Sequence, residues 1–171
     1  MQPSLPRLAF LAVLALLVTV TSGAGAQTPT PLPPLPGDAA SEGWGINDWG
    51  EVAGNSVEHQ LSGQILIFTA AVWNRSGTPT ALPPPDGLTE SRVGTGNAIN
   101  NHGHVVGMSI RGGGNPDRAI VWDRKGTIMR VLPPLPGDTD SQAFAISAHG
   151  RVTGLSLGSD GSQTAVVGPQ Q

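Results

Sequence analysis

The chain has 171 residues, no cysteine and a formal net charge of −3 at pH 7. Without cysteine no disulfide can support a small core, so stability rests on packing and backbone hydrogen bonds. Charged residues are only 12% of the chain, and this sparse, mildly acidic set offers no basic stripe for nucleic acid.

The first element is a targeting segment. Arg7 supplies a positive charge, Leu8 to Val20 form an apolar run, and Ala24-Gly25-Ala26 offers a small-residue cleavage site, which together predict a secretory signal peptide over residues 1–26. The run has 13 residues, short of the roughly 20 that span a bilayer as a helix, so no stable membrane anchor is expected after cleavage. Residues 27–171 are then a single repeat domain, secreted or otherwise extracytoplasmic.

A proline-rich string comes next. LPPLPGD occurs at Leu32–Asp38 and again at Leu132–Asp138, with a middle variant at Leu82-Pro83-Pro84-Pro85-Asp86-Gly87, so the strings recur every 50 residues. The period has independent anchors. Ile46-Asn47-Asp48-Trp49-Gly50-Glu51-Val52-Ala53-Gly54 matches Ile99 to Gly107 and Ile146 to Gly154, while Ala71 to Thr78 matches Ile120 to Thr127. These matches define three repeats, 32–81, 82–131 and 132–171. Because the strings hold the same phase in each repeat, they read as joints rather than polyproline ligands; proline lacks an amide donor and belongs at strand ends and edges.

Within each repeat the pattern is strand and turn. In the middle copy Gly96–Asn100 reads as a first strand, Asn101-His102-Gly103 as a hairpin turn and His104–Ser109 as the returning strand. After a polar loop at Arg111–Asp117, Arg118–Trp122 is a third strand and Thr127–Leu132 a fourth. Gly50, Gly103 and Gly150 fall where such a hairpin loop needs a left-handed backbone. Small residues such as Ala98, Gly107 and Ala119 are expected to let neighbouring sheets approach. The predicted fold class is all-β: three repeats of about 50 residues, each a four-stranded antiparallel sheet, arranged as a partial or three-bladed β-propeller. A parallel β-helix competes, but its rungs are shorter and lack these hairpin glycines.

The motif A-I-N-x-x-G-x-V-V-G-x-S at Ala98–Ser109, then A-x-x-W-x-x-x-G at Ala119–Gly126, then a leucine and a Pro/Gly joint at Leu132–Gly137, resembles the HAF family of probable extracellular repeats. The resemblance covers nearly all of residues 27–171. The family's His-Ala-Phe positions are Thr69-Ala70-Ala71, Arg118-Ala119-Ile120 and Thr164-Ala165-Val166 here, and its glycine-rich joint is proline-rich. The resemblance implies a secreted repeat protein and brings no catalytic residues.

The third repeat has a third strand at Gln163–Val167 but neither the tryptophan nor a fourth strand. Residues 27–32 match Gly77–Leu82, the fourth strand of the first repeat, and are the candidates to complete the third, within one chain or across a subunit boundary. Three blades are few for a ring, and two copies forming a homodimer is the simplest symmetric closure.

The chemistry-bearing residues are sparse. Trp49, His102 and His149 occupy one hairpin-tip position in the three repeats and are the candidate ligand-binding residues, against the plainer reading of exposed tips. His59 and His104 have no repeat partners. No metal-ligand spacing and no cofactor motif is present, so no metal, cofactor or catalytic residue is assigned. Asp138 and Asp140, and Asp160-Gly161, fall short of a calcium-loop pattern. Trp73 and Trp122 close equivalent third strands and are expected to pack. The favoured function is a secreted, non-catalytic structural or binding module facing an extracellular glycan or protein surface; the alternative is a small propeller-type hydrolase or lyase acting on extracellular polysaccharide.

Overall fold

The computed structural model describes residues 29–60, 65–85, 90–96, 98–110 and 116–168. The expected signal segment, Asp86-Gly87 of the middle joint and parts of the two long loops lie outside the described residues.

Eleven strands and no helix form the described chain: β1 (Ala40–Ile46), β2 (Val52–Gln60), β3 (Ile65–Trp73), β4 (Pro79–Leu82), β5 (Glu90–Val93), β6 (Val105–Ile110), β7 (Arg118–Trp122), β8 (Ile128–Leu132), β9 (Asp140–Ile146), β10 (Val152–Leu157) and β11 (Gln163–Val167). They make three antiparallel sheets in chain order: sheet I is β1-β2-β3-β4, sheet II is β5-β6-β7-β8, and sheet III is β9-β10-β11. The fold is therefore all-β with one sheet per repeat, the third lacking a fourth strand. β5 packs against β2 and β3, and β9 packs against β6 and β7, so each sheet lays its first strand on the middle strands of the sheet before it. The buried cluster runs through these contacts, from Ala53, Ala70 and Val72 through Ile99, Val106, Ile120 and Trp122 to Ala143 and Ile146.

The hairpin glycines behave as their position requires. Gly50, Gly103 and Gly150 have φ of 76°, 75° and 78°, a left-handed backbone that a side chain disfavours. The first strand of the middle repeat differs from expectation: β5 lies at Glu90–Val93, and among the described residues of the predicted 96–100 strand only Ile99 makes a bridge, to Val105. The reason is the neighbouring sheet. Gly94 and Gly96 lie against the Ala143–Phe144 backbone of β9, and the amide of Gly96 donates to the Phe144 carbonyl at 3.2 Å, so the ladder is interrupted there while Gly94 and Ala98 on either side keep their bonds to Val106.

Gly107 also has a different role from the one expected. A Cβ there would overlap the carbonyl of Arg92 in its own sheet, as it would at Gly54 against Glu42 and at Gly154 against Gln142. The glycine of each V-x-G motif thus serves the packing of the first two strands of one sheet. In sheets I and III it sits at a register shift, the sign of a β-bulge.

The joints are built turns. In Leu35-Pro36-Gly37-Asp38 the Asp38 amide donates to the Leu35 carbonyl at 3.0 Å and Gly37 has φ of 98°; Leu135–Asp138 repeats this with Gly137 at 96°. Proline followed by a left-handed glycine is the signature of a type II turn. The hydroxyl of Ser56 donates to the Asp38 carboxylate at 2.5 Å and accepts the Leu35 amide at 2.8 Å; Ser156 does the same for Asp138 and Leu135.

A serine in the first strand of sheets II and III joins each to the sheet before it. Ser91 accepts the amide of Ala70 at 3.0 Å and donates to the Leu82 carbonyl at 2.6 Å, bridging the end of the β3–β4 ladder from the following sheet. Ser141 accepts from Ala119 and donates to Leu132 with the same distances. Ser41 donates to the Leu32 carbonyl at 2.6 Å. The buried indoles of Trp73 and Trp122 donate to the carbonyls of Pro33 and Pro83 at 2.6 and 2.8 Å, so both tryptophans pack as expected. Residues 29–32 are not in a strand, and among the described residues β11 pairs only with β10.

Candidate functional site

The three first hairpins share one construction and meet at one end of the molecule. In sheet I the amide of Gly50 donates to the Asn47 carbonyl, while the Asn47 side-chain oxygen accepts the amides of Trp49 and Glu51 at 3.1 and 2.9 Å. Asn100 holds the amides of His102 and His104 in the same way, and Ser147 holds the amide of Arg151. Asparagine suits this place because its side chain satisfies the turn's own backbone donors.

The amide groups of the two asparagines then reach outward. Asn47 donates to the Asn100 carbonyl at 3.1 Å, and Asn100 donates to the Ser147 carbonyl at 3.2 Å, so the tips are joined in sequence. They line a polar opening of about 150 Å³ bounded by Ile46–Asp48, Ile99–Asn101, Ile146 and Ala148. A second link runs between Asp48 and Asn101: the Asp48 amide donates to Asn101 Oδ1 at 3.0 Å and Asn101 Nδ2 donates to the Asp48 carboxylate at 2.6 Å.

Trp49 stands at this end with 63% of its surface exposed, yet its Nε1–H donates to the Asn101 carbonyl at 2.9 Å. Trp44 and Ile46 on β1 are also exposed and line an open depression of about 520 Å³ with Gly43, Gly45, Val52, Thr95 and Gly96. Sheet I thus exposes two indoles, Trp44 and Trp49, of which Trp49 is fixed by a hydrogen bond.

His102 is exposed, and its ring stacks on that of His104 with centroids 5.8 Å apart. Burial pushes His104 below the ordinary histidine value of 6.5; the His102 and Arg124 charges act the same way and Asp123 opposes them. Its Nδ1 is buried without a partner among the described residues. Arg124 donates to the His102 carbonyl at 3.0 Å and pairs with Glu51 at 3.1 Å, while the other Glu51 oxygen accepts from Asn47 at 2.7 Å. His149 is exposed on the third tip.

The tips of all three candidate residues therefore lie at one end, and the bonds differ: Trp49 is pinned, His102 stacks on His104, and His149 stands on a tip joined to the middle one through the Ser147 carbonyl. Sequence reading left out Asn101, Glu51 and Arg124. The matching of Asn100-Asn101 to Asn47-Asp48 was the available signal for Asn101; nothing local marks the Arg124–Glu51 pair, which spans two repeats. Among the described residues no group of three or more His, Cys, Asp or Glu could hold a metal ion. Comparison of the chain with protein-family models, curated proteins and solved structures finds no match.

Proposed function

We propose that this is an exported, non-catalytic binding module of HAF type whose three sheets are the blades of a partial β-propeller, and that it binds an extracellular glycan at the tip end of sheet I. The observation that carries the reading is Trp49: an indole mostly exposed to solvent but held by its own N–H to Asn101. An exposed aromatic ordinarily loses side-chain freedom when a ligand stacks on it, and one already fixed loses less. Asp48, bonded to Asn101, sets a polar group on the same hairpin tip. The hairpin-tip residues Trp49, His102 and His149 are the ligand contacts in this reading, with Trp49 the anchor.

The chemistry of the same end favours binding over hydrolysis. Glu51 is committed to Arg124 and Asn47, and Asp48 to Asn101, so these carboxylates are tied into the scaffold. The direct test is affinity electrophoresis of the purified chain through gels containing a panel of soluble polysaccharides, with W49A beside it. Retardation by at least one polysaccharide that W49A loses by roughly tenfold or more in affinity is expected, as for an anchor residue worth about 2 kcal/mol. Equal mobility of both proteins in every gel overturns the assignment of Trp49.

A further inference from the structure

The two ends of the array are halves of one junction. At the interior junctions a serine from the following sheet accepts a hydrogen bond from a third-strand amide and donates one to the leucine carbonyl that closes the fourth strand: Ala70–Ser91–Leu82 and Ala119–Ser141–Leu132. Ser41 makes the second half, with Leu32, and has no third-strand amide before it among the described residues. Ala165, which occupies in β11 the place of Ala70 and Ala119, has the amide and no serine.

Exposure follows the same division. Ile46 is 64% exposed, whereas Ile99 and Ile146 at the same position are 1% and 2% exposed. Val167 is 61% exposed, whereas Val72 and Val121 are 4% and 0%. Among the described residues no sheet precedes the first strand that carries Ile46 and no fourth strand lies beside Val167, so each shows an apolar surface that the interior repeats bury.

The sequence of the leading segment fits the vacant place. The Asn74 amide donates to the Thr78 carbonyl, which sets the bonding phase of the outer ladder; counting by twos puts Thr80 in phase and leaves Ala81 facing outward. Residues 29–32 match 79–82, so Pro29 stands where β4 also has proline and Pro31 falls at the outward Ala81 position. Neither proline removes a needed donor. On the receiving strand the Gly168 amide bonds back to Val152 at 2.7 Å, so that of Val167 points to the open edge.

From these equivalences we infer that the head of one copy, residues 29–46, docks on the tail of a second copy: residues 29–32 become the fourth strand of its sheet III, and β1 covers β10 and β11. Two copies closing on each other reciprocally make a ring of six sheets, within the four to eight usual for propellers. The partner is a second copy rather than the same chain because residues 29–32, tied to sheet I through Leu32 and Ser41, pair with no strand of their own chain among the described residues. Among the described residues no hydrogen bond joins sheet I to sheet III. The inference rests on the repeat geometry and not on the glycan reading.

The test uses light scattering and designed disulfides. The purified chain is expected at the mass of two copies. V167P, which removes the outward amide without breaking a bond to β10, is expected at the mass of one copy with an unchanged circular dichroism spectrum. Thr30 would oppose Val167 as Thr80 opposes Val72, and the chain has no other cysteine to interfere. Mixing a T30C chain with a V167C chain is therefore expected to give a disulfide between the two proteins under oxidation. A single-copy mass for the unaltered chain overturns the inference. So does a T30C/V167C double variant that, when dilute, closes its disulfide only within one chain.

Discussion

Trp122 donates its indole N–H to the carbonyl of Pro83 at 2.8 Å, reaching from the end of a third strand to the joint that opens its own repeat. The bond returns between Trp73 and Pro33. Each indole therefore closes its repeat on itself, tying the last residue of the third strand to the first residues of the joint.

Removing that closure is expected to be costly. Trp122 is fully buried, so W122A should lower unfolding free energy by about 3–5 kcal/mol. W122F, which fills most of the space but leaves the Pro83 carbonyl without its donor, should lose about 1–3 kcal/mol. Urea denaturation of both variants checks the order.

Adding the closure where it is missing should stabilise. Gly168 holds the tryptophan position in the third repeat, beside an apolar cleft of about 220 Å³ lined by Leu132, Pro133, Leu135, Val152 and Val166. Its backbone is not left-handed, and a Cβ there would meet Val152 only at ordinary contact distances of 3.6 and 3.8 Å. G168W is expected to gain about 1–3 kcal/mol through burial of the indole and to raise the melting temperature by several degrees. An unchanged or lower melting temperature counts against this account of the cleft.

Gly107 should refuse even one methyl group. Because the Arg92 carbonyl occupies the Cβ position, G107A must push β5 from β6, and a loss of about 3 kcal/mol or more is expected, in the range of severe backbone and packing defects. Ala53, one residue before the equivalent Gly54, is fully buried, whereas Ser76 in an exposed turn has room; S76A serves as the tolerated control in the same denaturation series.

Acid should weaken the tip end through His104. Its folded pKa lies below the ordinary 6.5, chiefly from burial, so the unfolded chain binds the proton more tightly. The His104 contribution is complete above pH 6.5 and is lost as pH falls from there through the depressed folded value. His102 and Arg124 add to the effect, and Asp123 offsets part of it. H104Q is expected to flatten the stability profile across that window and to leave the carboxylate limb at lower pH in place. Thermal melts at half-unit pH steps read both.

What the sequence revealed and what it hid divide along a physical line. Gly103 and its counterparts were legible because a left-handed turn restricts residue type locally, and the bounds of β7 and β11 followed from the repeat match and the flanking turns. The displacement of β5 was not legible, because Gly94 and Gly96 answer to the β9 backbone fifty residues away. Ser41, Ser91 and Ser141 recur nine residues after Leu32, Leu82 and Leu132, a regularity open to view; a lone serine gives no hint of bridging two sheets until the third-strand amide is seen beside it. At the tip end Trp49 stood out as the aromatic member of a repeated position. Its bond to Asn101 depends on how two hairpins meet.

The Pro-Gly turns at Leu35–Asp38 and Leu135–Asp138 have one more consequence. Each is self-contained, tied by its own aspartate to a serine of the repeat it opens, so a cut placed just before either leaves every such tie intact on one side. The turns are thus natural seams, at which a whole repeat could be grafted in or cut out without parting an aspartate from its serine.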